Sequence, residues 1–93
     1  MEIKQFNEDR KGHFEAYLED KKAGLMTYKW HGKEEIIIDH TEVYTDFEGK
    51  GVGKQLVLAG VEFARTNNLK IKPTCPFAKK FLERTSDYQD ILI

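Results

Sequence analysis

Residues 36–64 read IIIDHTEVYTDFEGKGVGKQLVLAGVEFA. A hydrophobic strand, Ile36 to about Tyr44, runs into an acidic turn and then a glycine-rich loop, Glu48 to Gly53. An amphipathic helix follows at once. Val52, Leu56, Ala59 and Phe63 recur at helical spacing, with Val57, Val61 and Ala64 in a second row beside them, so one broad apolar stripe faces a core. Strand, glycine loop and helix N-terminus together make a holder for pyrophosphate, because backbone N–H groups point outward and the helix end adds partial positive charge.

Upstream, the apolar period is two. Ile3 to Phe6 reads as a short strand. His13 to Leu18 alternates, with Phe14, Ala16 and Leu18 on one face, and Gly24 to Trp30 alternates with Met26, Tyr28 and Trp30 together. Short charged turns separate these strands, which predicts an antiparallel meander. The unbroken Ile36-Ile37-Ile38 run predicts a strand buried on both faces. Asn67-Asn68 ends the helix, because asparagine tolerates the left-handed cap. Leu69 to Lys72 is then a strand reached by a crossover, and so parallel to the Ile36 strand. Pro76 suits the first position of a second helix, in which Phe77, Phe81 and Leu82 face the core. Ile91 to Ile93 is a candidate edge strand. The expected class is α+β: a mixed sheet, with an antiparallel meander followed by a β-α-β crossover and a C-terminal helix.

The chain has 93 residues, 40% of them hydrophobic, which suits a single domain over residues 1–93. Fifteen basic and 16 acidic residues leave a net charge of −1, so no basic excess is available for a nucleic-acid backbone. No apolar run is long enough to span a membrane, and the first residues, MEIKQFNEDRK, lack the apolar core of a signal peptide. The single cysteine excludes an internal disulfide and a cysteine-rich metal site, so no metal is expected. These features lead us to expect a cytoplasmic location.

The glycines discriminate among phosphate loops. A Walker A loop aligned on Gly53-Lys54 would need glycine at Glu48 and a hydroxyl at Gln55. A dinucleotide fingerprint would need glycine at Lys54. Glu48-Gly49-Lys50-Gly51-Val52-Gly53 instead resembles the acetyl-coenzyme A loop of the GNAT N-acetyltransferase superfamily, Q/R-x-x-G-x-G/A, with Glu48 where Gln or Arg is usual. His40-Thr41-Glu42-Val43 and Cys75-Pro76-Phe77-Ala78-Lys79-Lys80-Phe81 extend the likeness. Together they resemble a group of very small, stand-alone GNAT-like acetyltransferases over nearly the whole chain.

That resemblance implies an acetyl-coenzyme A-dependent transferase acting on an amine acceptor, either a small molecule or a protein. It puts the cofactor along Val43, Gly49, Lys50, Gly51, Val52, Gly53 and Lys54, and His40 and Cys75 beside the thioester; Lys79-Lys80 reads as a solvated face, with one of the pair, here Lys79, available to the 3′-phosphate. The residues fit these roles. An imidazole can take a proton from an ammonium nucleophile, and on a regular strand His40 would share a face with Ile36 and Ile38. A helix N-terminus favours the thiolate of Cys75. Larger members carry N-x-x-A-x-x-x-Y at the second helix, its Tyr protonating the departing thiolate; Cys75, Ala78 and Leu82 stand at those positions, and Leu82 cannot donate a proton. Glu48 is expected to cap the helix or to pair with Lys50 or Lys54. His13 and His31 read as solvated. Asn7 to Gly12 leaves no room for the helices that wall the acceptor site in larger members, so that side is open or completed by a partner, for instance in a homodimer. The alternative reading is a non-catalytic cofactor-binding module.

Overall fold

The computed structural model describes residues 1–93. Strands β1 (Glu2–Asn7), β2 (Lys11–Leu18), β3 (Lys21–His31) and β4 (Glu35–Val43) form the meander. Helix α1 (Val52–Thr66), strand β5 (Lys70–Pro73) and helix α2 (Pro76–Glu83) follow. One five-stranded sheet has the order β1-β2-β3-β4-β5, with only the β4–β5 pair parallel. This is the expected mixed sheet, and no helix is long and apolar enough to cross a membrane. Ile91 to Ile93 is not a strand; Leu92 makes a single parallel bridge to Ile71.

Local chemistry accounts for the turns. The β2–β3 hairpin turns at Glu19 and Asp20, both with positive φ, the geometry that matches strand twist in a two-residue loop. Asn68 takes φ of 55° just after α1, as expected of asparagine beyond a helix end.

The core lies on one face of the sheet. Phe14 and Ala16 of β2, Met26 and Tyr28 of β3, Ile36 and Ile38 of β4 and Ile71 of β5 are buried in one cluster with Val52, Leu56, Val57, Val61 and Ala64 of α1. Ala78 and Leu82 of α2 join the same cluster. Ile37 is only half-buried, so β4 is not covered on both faces as its apolar run suggested. β3 and β5 flank β4 within the sheet, and both helices pack on the face opposite Ile37.

Glu15 lies on that uncovered face, with Tyr17 Oη at 2.6 Å, His13 Nε2 at 2.9 Å and Lys22 Nζ at 3.4 Å. The Tyr17 hydroxyl and then His13 are the main causes that hold its carboxyl at about 2, against an ordinary 4.5. A depressed carboxylate stabilises the fold above its unfolded value and loses that contribution as pH falls through the folded one. Glu15→Gln is therefore expected to lower the urea midpoint at neutral pH. The gap from the parent should close as pH falls from 4.5 toward 2. A gap that persists at the acid end would mean the glutamine harms packing rather than charge.

Candidate active site

The phosphate loop forms where the chain leaves β4. Thr45–Phe47 makes a short 3-10 turn, and Gly49 and Gly51 then take φ of 76° and 78°. An L-residue there pays about 1–2 kcal/mol. Gly51 is the N-cap of α1, and no side chain caps that helix. The first intrahelical bond is Gln55 N–H to the Gly51 carbonyl at 3.1 Å, and no amide from Gly49 through Lys54 donates to a group of the chain. A row of free N–H groups at the start of a 15-residue helix is a strong anion site.

These amides open on a groove of about 320 Å³ lined by Val43, Glu48, Gly49, Gly51, Val52, Gly53, Lys54 and Phe77. Glu48 neither caps α1 nor pairs with a lysine, contrary to expectation. Phe77 does not enter the core; it is 47% exposed and lies across Gly53. A Cβ at Gly53 would stand 2.7 Å from the ring. Beyond Phe77 the groove continues over Lys54, Lys80, Phe81 and Arg84. Lys79 is exposed but does not line it. Helical geometry explains why: residues 77, 80, 81 and 84 share a face, and residue 79 stands nearly opposite residue 77.

Five residues before Val43 and four before Phe77, both of which line the groove, the sheet forks. β4 and β5 pair from Glu35–Lys70 to Ile38–Pro73 and then part. The Ile38 carbonyl accepts the amides of Thr74 at 2.9 Å and Cys75 at 3.1 Å, which pins the start of α2 to β4. Past this point β4 still pairs with β3, as far as Val43 opposite Gly24. Its edge toward β5 is left without a strand partner.

At the fork the register of β4 shifts. Tyr28 faces Ile38 and Thr27 faces His40, so Asp39 is an extra residue, a β-bulge. The bulge reverses which face the later side chains take. His40 therefore does not share a face with Ile36 and Ile38; it lies on the uncovered side, its side chain 58% exposed, with Nε2 3.4 Å from Glu42. Asp39 is on the same side, taking the Thr27 hydroxyl at 2.6 Å and lying 3.5 Å from Lys29. Thr41 takes the core side, opposite the buried Met26. The sequence carries a sign of this, since two successive polar residues, Asp39 and His40, interrupt the alternation.

Cys75 is the N-cap of α2, 5% exposed, on the core side of the fork. Its Sγ is 3.5 Å from Thr41 Oγ1. Burial pushes the thiol up, but the backbone amide of Ala78, the Thr41 hydroxyl and the amide of Phe77 outweigh it, so the thiol sits below its ordinary value. The sulfur's side-chain partner is thus Thr41, while His40 pairs with Glu42 along the same face of β4. Leu82 is fully buried and supplies nothing to this site. His13 and His31 each pair with a glutamate at 2.9 Å, away from the groove.

A family model described as GCN5-related N-acetyl-transferase matches residues 13–91. Protein NATD1 of Xenopus tropicalis is 32% identical over 59 residues, 63% of this chain and 54% of that protein. The chain spans about half the length of the curated relatives it matches. The solution structure of a GCN5-like protein from Staphylococcus aureus is 42% identical, with a TM-score of 0.72 over 99% of this chain and 87% of that one. A Bacillus anthracis protein solved in complex with acetyl coenzyme A shares the fold at 23% identity, with a TM-score of 0.60 over 70% of this chain and 38% of that one.

Proposed function

The chain belongs to the GCN5-related N-acetyltransferase family, and from that premise we infer that residues 1–93 act as one acetyl-coenzyme A-dependent acetyltransferase domain, moving the acetyl group to an amine in the cytoplasm. The observation that carries this is the row of free amides from Gly49 to Lys54, which opens on a groove lined by Val43 and Phe77, each two residues along the chain from the Thr41–Cys75 pair. The pyrophosphate takes those amides. The pantetheine arm runs past Val43 along the free edge of β4, and the thioester reaches the fork. The amine lone pair attacks the thioester carbonyl and the carbon–sulfur bond breaks. The amine's proton leaves to His40 or water, and Cys75 protonates the departing sulfur. The Bacillus anthracis protein, which shares the fold and was solved in complex with acetyl coenzyme A, supports the choice of co-substrate.

The uncovered sheet face beside His40 gives the acceptor an open approach, which suits a protein or a small amine; a second copy of the chain is one way to wall it. For the far end of the cofactor, the groove over Lys54, Lys80 and Arg84 supports a 3′-phosphate site, with Lys80 rather than Lys79 as its centre. None of these cations is paired with a carboxylate. Calorimetry is expected to find micromolar acetyl-coenzyme A binding, weakened about tenfold when the 3′-phosphate is absent, as for one charged hydrogen bond. Lys80→Gln should erase most of that difference and leave dephospho-coenzyme A binding as it was. No binding at millimolar ligand ends the transferase reading altogether.

Two observations favour a second reading: His40 and Cys75 lie on opposite sides of the sheet, and Glu48 lines the phosphate groove without a salt-bridge partner. A non-catalytic module that binds the cofactor predicts binding unaffected by His40→Ala and Cys75→Ala, and no transfer to any of a broad panel of amines.

A further inference from the structure

The bulge at Asp39 gives Thr41, and not His40, to the side of β4 that faces Cys75. Two elements then converge on one sulfur. From β4 comes the Thr41 hydroxyl, 3.5 Å from Sγ. From α2, whose N-cap is Cys75, come the first-turn amides of Phe77 and Ala78, which donate to no group of the chain. The carbonyl of Ile38 ties both elements together by accepting the amides of Thr74 and Cys75. A hydroxyl suits this position because it can reverse roles. It accepts from the neutral S–H and donates to a sulfur that has lost its proton.

We propose that Thr41 is the positioning residue of the acetyl-transfer site, holding the Cys75 sulfur at the fork in both protonation states. This rests on the reading of Cys75 as the group that protonates the departing thiolate. In that step the Cys75 S–H bond breaks and an S–H bond forms on coenzyme A. The charge left on Cys75 then accepts from the Thr41 hydroxyl and the two amides. The proton released by the amine, relayed by water, restores the thiol, so nothing else is consumed.

No charged side chain competes with Thr41 at the sulfur. On β4, Asp39 pairs with Lys29, and His40 with Glu42, on the uncovered face. Lys70 and Lys72 of β5 are exposed, as are Lys79, Lys80 and Glu83 of α2. The core cluster contains no buried charge.

The chain's single cysteine allows a direct test. The ultraviolet absorbance of the thiolate is followed against pH for the parent, Thr41→Val, Thr41→Ala and Thr41→Ser, with Cys75→Ala as the blank. Valine and alanine are expected to raise the thiol midpoint by about one pH unit, the scale of one hydrogen bond to a charge, and serine to restore it. In the valine protein kcat should fall about tenfold with the KM for acetyl-coenzyme A unchanged. A purely structural threonine would lower the melting temperature and leave the midpoint in place. Midpoints in both the valine and alanine proteins equal to the parent's would overturn the proposal. If the parent transfers no acetyl group at all, the transferase reading fails, and the thiol titration still decides what Thr41 does to Cys75.

Discussion

A Gly53→Val protein is expected to bind acetyl-coenzyme A at least a hundredfold more weakly than the parent and still to fold. Gly53 is the second residue of α1, and its φ is not positive, so backbone freedom does not explain the glycine. Space does. The Phe77 ring lies over it, and a Cβ would stand 2.7 Å from the ring's edge. The ring is half-exposed and can swing aside, so the fold survives. The valine methyl groups then occupy the mouth onto which the amides of Gly51 to Lys54 open. Each hydrogen bond from an amide to a charged phosphate contributes roughly 1.5–3 kcal/mol. Losing two exceeds a hundredfold in affinity. Within a helix, valine for glycine is neutral or mildly stabilising, which offsets the ring's displacement. Calorimetry measures the first effect and thermal unfolding the second. Full affinity in the valine protein would mean the phosphates bind elsewhere. Gly51→Val should lose binding too, but with a lower melting temperature, because φ there is 78°.

The parts of this molecule that obey a period were legible without coordinates. Phe14, Ala16, Met26 and Tyr28 alternate and line the core; Leu56, Val57, Val61 and Ala64 recur at helical spacing and cover it. The glycine loop was legible because positive φ and close approach both demand that residue. What the pattern did not convey were departures from period. The bulge at Asp39 inserts one residue, and every side chain after it changes face, which takes His40 off the core side and brings in Thr41. Phe77 looked like a core residue by hydrophobicity, but Ala78 and Leu82 are the residues of α2 that turn inward. Its place across Gly53 follows from how α2 docks at the fork, a tertiary fact. Which of Lys79 and Lys80 lines the groove has the same origin, since both are equally basic and only the helix's rotation separates them.

For Cys75, incubation with acetyl-coenzyme A alone is expected to leave the sulfur unmodified by mass spectrometry, and Cys75→Ser to slow turnover by about ten- to a hundredfold without stopping it, less than the roughly 10²–10⁴-fold of a general acid lost outright, because serine keeps a hydroxyl. The competing route has Cys75 attack first and carry the acetyl group, which the amine then removes. The lowered thiol favours that route, because more thiolate is present. Three features weigh against it. The sulfur is 5% exposed and hydrogen-bonded to the Thr41 hydroxyl at 3.5 Å. A sulfur so engaged is a weaker nucleophile, because attack must first break that hydrogen bond. Thioester-to-thioester exchange also gains little driving force, so the acetyl group would rest on Cys75 with no advantage over coenzyme A. The open face beside His40, finally, lets an amine reach the thioester directly from the side of β4 opposite Cys75. That division, with proton removal on the open face and proton return on the buried one, needs no acetyl-enzyme. Serine keeps a hydroxyl in the same pocket and can pass a proton, but it is a poorer acid than the thiol, so the rate falls and persists. Stoichiometric acetyl-Cys75 that discharges to an added amine at the turnover rate, together with a dead serine variant, would instead establish the covalent route.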